Sequence, residues 1–388
     1  MRQRLFIRLR ALLAKGEQWS GVTNQVIAHL FYEFDINEGI GRSIATIAET
    51  VPGEHHLICG RMKAGHDCFA SVTVVGGLLE RGITSNRQLR ETLDKIGATL
   101  VHIHGGPLAT LGAKKLSKGR SLAVSIYGWP TLPKSPQGLK WRDVWGTPAA
   151  NPRVAITTAV APAVVARQLG AAVVFSPDPN VATKLSRHGV SVNRYHAATR
   201  PNIRPTTLEV RNEVVLAGRA ELSRGADVLI EAVTLLRSRG VDVTARIALL
   251  PGPHTNQILD LAAPHEGIDV SVGPVDLDEL LSGALAAVLP FRFNYTTSPP
   301  VLVAEEALAC GTPVIGTSVV CLDAVADETC TLSVPVGDVL ATAHAIEQLV
   351  TSPGMREAFS ANAILHTRSR WEKYGLATVV ESGYKKCH

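Results

Sequence analysis

Val214-Val215-Leu216-Ala217-Gly218-Arg219-Ala220-Glu221-Leu222-Ser223-Arg224-Gly225-Ala226-Asp227-Val228-Leu229-Ile230-Glu231-Ala232 decides how this chain folds. An apolar run ends in a loop that carries glycine and arginine, and a helical pattern starts at Gly225. The spacing predicts a strand over 213–217 and a helix over 225–239. Downstream the alternation continues: strand 244–250, helix 254–262, strand 268–272, helix 276–283, strand 286–290, helix 301–310, strand 313–316. Upstream it has already run once. Val26-Ile27-Ala28-His29-Leu30-Phe31-Tyr32 reads as a first strand, followed by a polar loop with Gly39 and Gly41 and a helix at about 42–50. Further strands are expected at 56–59, 72–75, 100–103, 121–126 and 172–176. Strands alternating with helices imply an α/β protein with parallel sheets.

The stretch 199–212 is polar, contains Pro201 and Pro205, and separates the two series. Expected units are 1–205, 206–365, and a helical tail 366–388 packing back toward the first domain. Two doubly wound domains put any large cleft between them, outside the carboxyl ends of the strands. Residues 128–152, with five prolines and three tryptophans, read as a loop.

Composition excludes several classes. Of 388 residues, 46% are hydrophobic and 19% charged, which is the balance of a folded domain rather than a disordered chain. No apolar run reaches the roughly 18–20 residues of a membrane span. The net charge of +5 is concentrated in Arg2, Arg4, Arg8, Arg10 and Lys15, which leaves the remainder balanced. A nucleic-acid binder would spread its bases over a folded face, so none is expected as a partner. Residues 1–15 are too interrupted by arginine for a secretory signal. They read either as a solvated helix or as a basic amphipathic helix touching the anionic inner face of a membrane. Six scattered cysteines without Cys-x-x-Cys spacing read as reduced thiols in the cytoplasm, and structural zinc is not expected.

Four places could carry chemistry. Gly39-Ile40-Gly41-Arg42 opens a helix, where glycine either permits a positive φ or lets backbone approach a phosphate or sugar. The spacing is not Gly-x-Gly-x-x-Gly, which disfavours a nicotinamide enzyme. His102 and His104 alternate on one strand face, with three roles open: metal ligand, polar cleft residue, or hydrogen-bonded core histidine. Arg219 and Arg224 lie on one loop before a helix, well placed to hold a diphosphate. Glu305 and Glu306 sit on a helix ending at Gly311, where a carboxylate can take ribose hydroxyls or favour the helix N-terminus.

Taken together, Gly218-Arg219, Arg224-Gly225-Ala226-Asp227, and Glu306-Ala307-Leu308-Ala309-Cys310-Gly311-Thr312-Pro313 resemble the donor-binding domain of family-4 retaining glycosyltransferases. The resemblance is dense over about 213–320. It implies the GT-B fold, two Rossmann-like domains facing across a cleft, and transfer of a sugar from a UDP- or GDP-sugar to a hydroxyl acceptor held by the first domain. It places Arg219, Arg224, His104 and Tyr127 at the catalytic end. Gly39, Gly41, Gly218, Gly273, Val275, Ser298, Glu305 and Glu306 would line the donor, and no metal or other cofactor is implied. Two residues depart from the family pattern: Ser298 stands where it has its first glutamate, and Tyr127 where it tends to have a histidine. A catalytically inactive scaffold and a nucleotide-sugar epimerase of the same fold are therefore the alternatives.

Removing residues 1–15 is expected to weaken association with anionic lipid vesicles and to leave nucleotide binding unchanged, each base contributing about 1 kcal/mol near such a surface. Vesicle co-sedimentation at low salt checks this. A full-length chain that ignores anionic vesicles contradicts it.

Overall fold

The structure, a computed structural model, describes residues 25–65, 67–75, 87–116, 118–130, 137–145, 159–196, 212–293 and 301–387. Residues 1–15, most of the 199–212 boundary and Ser298, about which the sequence raised expectations, lie outside these. A first sheet contains β1 (Val26–Asp35), β2 (Glu54–Ala64), β3 (Ser71–Val74), β4 (Leu100–Gly105), β5 (Ser121–Ile126), β6 (Val173–Ser176) and β7 (Val192–Arg194), in the order β3-β2-β1-β4-β5-β6-β7. A second contains β8 (Glu213–Arg219), β9 (Thr244–Leu250), β10 (Ile268–Val272), β11 (Ala286–Leu289), β12 (Val314–Gly316) and β13 (Thr331–Ser333), in the order β10-β9-β8-β11-β12-β13. Every pairing is parallel.

The sequence explains the sheets. Val214, Val215, Leu216, Val288 and Leu289 are wholly buried, as central strands covered on both faces must be. Each sheet reverses its strand order beside its first strand, between β1 and β4 and between β8 and β11. Such switch points are where doubly wound folds open a crevice. The loops leaving β1 and β8 therefore frame the site.

One expectation about β1 is corrected. The helix after it starts at Gly39 and runs to Thr50, so Gly39 and Gly41 lie inside its first turn rather than in a loop ahead of it. Neither has a positive φ. A Cβ on Gly41 would sit 1.9 Å from the Asp35 carbonyl oxygen, so glycine is required there by close approach to the end of β1. A Cβ on Gly39 would come within 3.1 Å of Leu302 Cδ2, on the facing domain. In the 128–152 stretch, Trp141–Trp145 forms a short helix, and residues 131–136 and 146–152 are outside those described.

Two helices, Pro353–Tyr374 and Leu376–Lys385, close the chain. The last returns to the first sheet, where Leu376, Val380 and Tyr384 pack with Ile27, Leu100, Ala123 and Phe175. Tyr384 Oη hydrogen-bonds His102 Nδ1 at 2.6 Å in this core. Tyr384→Phe leaves that ring nitrogen without its partner and is expected to cost about 1–3 kcal/mol of stability. Urea unfolding followed by tryptophan fluorescence checks it, and an unchanged midpoint contradicts it.

Candidate functional site

The loop after β8 is shaped by its glycines and by a buried ion pair. Gly225 adopts φ 77°, ψ 26°, and a Cβ there would meet the Pro290 carbonyl oxygen at 2.2 Å. Gly218 makes room in the same way, since its Cβ would lie 2.8 Å from the Arg224 guanidinium. Arg224 is half-buried and stacks over Phe291 at 5.4 Å. Burial lowers its pKa, Glu221 opposes that shift, and the neighbouring Arg219 charge lowers it further. A guanidinium nevertheless keeps its proton in proteins. Two neighbouring cations thus lie at the end of a parallel strand, the arrangement that suits an anion.

Across the cleft stands the first turn of the Gly39–Thr50 helix. Glu38, its N-cap residue, accepts from Arg219 at 3.3 Å. Arg42, one turn on, donates to both oxygens of Glu306 at 3.0 and 3.4 Å. Glu306 is 7% exposed on the Leu302–Ala309 helix, so the ribose-binding candidate and a phosphate-binding candidate face one helical turn of the other domain.

Glu305 points elsewhere. Successive residues on a helix diverge by about 100°, and Glu305 accepts from His196 Nδ1 at 3.0 Å. Arg370 Nε donates to His196 Nε2 at 2.9 Å and also reaches the Ala324 carbonyl. Because Arg370 can only donate, His196 accepts at Nε2 and carries its hydrogen on Nδ1, toward Glu305. His196 is joined to the closing helices through its backbone N–H, which donates to the Tyr374 carbonyl at 2.8 Å. Glu305 is thus tied through His196 to Arg370 and the closing helices. Gly273 and Val275 lie beyond the end of β10, with Val275 exposed.

The structure resolves the roles left open for the histidines. His29, His55, His102 and His104 are all buried, and a hydrogen-bonded line runs through three of them. His55 Nε2 contacts the Val51 carbonyl at 2.8 Å, His29 Nε2 contacts His55 Nδ1 at 2.8 Å, His104 Nε2 contacts His29 Nδ1 at 2.9 Å, and Tyr127 Oη contacts His104 Nδ1 at 3.0 Å. A carbonyl only accepts, so His55 must donate from Nε2, which forces the same tautomer on His29 and His104 and makes the Tyr127 hydroxyl a donor. His102 bonds Ser125 Oγ at 2.8 Å and Tyr384. His102 and His104 are therefore hydrogen-bonded core histidines, and Tyr127, 4% exposed, anchors one of them.

Ring nitrogens of His29, His102 and His104 do lie within 4.8 Å of one another. Each is already engaged in the bonds just given, and a cation among neutral rings in this core would carry uncompensated charge. Asp227 and Arg292 were not singled out from sequence. They form a bidentate pair, 2.7 Å at both contacts, and Arg292 also donates to the Leu222 carbonyl at 3.0 Å, which pins the turn carrying Arg224. Their signal was faint, since an arginine after a strand ordinarily reads as solvated.

Residues 211–352 match the family model described as glycosyl transferases group 1. Curated relatives named D-inositol 3-phosphate glycosyltransferase include one from Actinosynnema mirum, 31% identical over 203 residues, covering 48% of this chain and 48% of that protein. Another, from Rhodococcus jostii, is 30% identical over 287 residues, covering 61% of this chain and 63% of that protein. The chain spans about half the length of the first curated relatives it matches. Among solved structures, Anabaena HepE in complex with UDP superposes with a TM-score of 0.66 at 13% identity, covering 93% of this chain and 98% of that one. A glycosyltransferase from Rickettsia africae gives 0.66 at 12% identity, covering 94% and 98%. The chain has the two-domain fold of these solved structures, and residues 211–352 carry the group 1 sequence pattern.

Burial, joined by the mutual repulsion of the rings, holds His29 and His104 well below the ordinary histidine pKa and His102 down at about 3. The unfolded chain, titrating near 6.5, therefore binds more protons in the acid range, so stability present above that pH is lost as pH falls toward the folded values. Nitrogen-15 NMR of the imidazoles at pH 6 should show His29, His55 and His104 neutral and protonated at Nε2. An imidazolium signal from any of them contradicts the hydrogen-bond order.

Proposed function

We propose that this GT-B chain transfers a sugar, with retention of anomeric configuration, from a UDP- or GDP-sugar to a hydroxyl acceptor. One observation carries the reading: Arg219 and Arg224 converge at the switch point of the second sheet, and a single helical turn of the facing domain reaches both Arg219 and Glu306. The group 1 pattern covers this same half of the chain. The HepE structures with UDP and with UDP-glucose share the fold.

On this reading Arg219 and Arg224 bind the donor diphosphate and stabilise its charge as the glycosidic bond breaks, the task a divalent cation performs in other transferases. Glu306 accepts from the ribose hydroxyls, and the backbone near Gly273 and Val275 meets the base. The departing phosphate takes the acceptor's proton on the same face, so no side-chain nucleophile is assigned. His104 and Tyr127 act through position, keeping the floor of the acceptor domain rigid beneath the cleft. The relatives' name makes an inositol phosphate the first acceptor to try. The protein works in the cytoplasm, at the membrane's inner face if residues 1–15 bind lipid. No described helix is long and apolar enough to cross a membrane.

Arg219→Ala or Arg224→Ala is expected to cost roughly 1.5–3 kcal/mol of transition-state stabilisation, about 10- to 150-fold in kcat/KM, through loss of charge-assisted contacts. Activity should survive EDTA. Donor-sugar release measured by nucleotide liberation checks both points, and a strict Mg²⁺ requirement contradicts the arginine assignment.

A further inference from the structure

Glu38 and Arg42 occupy the two groups that the donor reading gives to the nucleotide, and they do so with matching chemistry. A diphosphate offers oxygen acceptors to Arg219, and Glu38 offers it a carboxylate oxygen at 3.3 Å. Ribose offers hydroxyl donors to Glu306, and Arg42 offers it two N–H donors at 3.0 and 3.4 Å. Four residues apart on one helix, with Arg42 N–H bonded to the Glu38 carbonyl at 2.9 Å, the two would ordinarily be read as an intrahelical pair. Instead each reaches over the cleft to a partner of opposite sign. The Nε–H groups of Arg42 and Arg219 are also buried without an acceptor among the described residues, so both guanidiniums have donor capacity beyond these pairs.

We propose that this helical turn is a built-in mimic of the nucleotide, so that donor binding exchanges both cross-domain pairs together: phosphate for Glu38 on Arg219, and ribose for Arg42 on Glu306. This rests on the donor reading and deepens it. Observed affinity is then the intrinsic affinity reduced by the fraction of molecules whose pairs are closed. The Arg219–Glu38 pair is partly exposed on both sides, which keeps the competition weak enough for a ligand to win.

Calorimetric titration with UDP, GDP and uridine tests the exchange. Glu38→Gln keeps size and removes charge, and is expected to tighten binding of the preferred nucleoside diphosphate about 2- to 5-fold, the effect of removing one half-exposed competing pair. The gain should vanish in an Arg219→Ala background and for the nucleoside alone, which has no phosphate. Arg42→Met should tighten the ribonucleoside and not its 2′,3′-dideoxy analogue. Should that variant fail to fold, the Glu38→Gln arm decides. If the wild-type chain binds UDP or GDP and Glu38→Gln binds it equally or more weakly, the mimicry is wrong while the donor site stands. If the wild-type chain binds neither, the donor reading fails and this inference falls with it.

Discussion

Parallel strands deliver every carboxyl end of a sheet to the same edge, and the site of this protein depends on that constraint. Each connection must cross over the sheet and return, so the loops leaving β1 and β8 gather at one rim of their domains. The turn after β1 brings Glu38 and the start of the next helix brings Arg42, while the end of β8 carries Arg219 and the turn after it Arg224. Two rims facing each other make a cleft lined by backbone turns and long charged side chains. The cores beneath are mostly aliphatic with some aromatic rings, and the first also holds a set of buried imidazoles. Charge is kept at the rim, where it can be exchanged.

Within this frame the binding groups are held in place from behind. Arg292 bonds Asp227, the Leu222 and Gln137 carbonyls and, through its backbone N–H, the Ser223 carbonyl, so it ties the turn that presents Arg224 to its surroundings. Removing Asp227 would leave the buried Arg292 charge short of its partner, a destabilising change that the partial exposure of Asp227 moderates. On the other side, the line from Val51 through three histidines to Tyr127 fixes ring orientations in the first sheet. It ends at an amide carbonyl, which cannot release a proton, so it orients rather than conducts. His196, bonded to Glu305 and Arg370 and joined to Tyr374 through the backbone, links the Leu302–Ala309 helix to the closing helices.

Much of the second domain was legible because buried parallel strands are unbroken apolar runs punctuated by glycine and proline. Strands 244–250 and 268–272 lie where the pattern puts them. The edge strands Val192–Arg194 and Thr331–Ser333 escaped notice: three residues, two of them polar in each strand, carry no period. Gly39 and Gly41 were expected ahead of the helix and lie in its first turn, and sequence does not distinguish a glycine required, as Gly41 is, by a carbonyl at 1.9 Å from one required by its φ. The partners of His104 and His102 were invisible for a topological reason. His104 on β4 meets His29 on β1, and His102 meets Ser125 on β5 and Tyr384 on the last helix, neighbours that only the strand order and the return of that helix create. Glu38 and Arg42 could have been suspected, because an acid just before a glycine turn and a base just after it bracket the place where a ligand would sit.

The central claim is that the cleft between β1 and β8 receives a nucleoside diphosphate, with phosphate on the arginines and ribose on the glutamate. A crystal structure of the chain grown with UDP or GDP tests it most directly. The account predicts diphosphate oxygens within hydrogen-bond distance of Arg219 and Arg224, and ribose hydroxyls on Glu306. A nucleotide seated elsewhere, with Arg219 and Glu306 making no contact to it, would contradict the account.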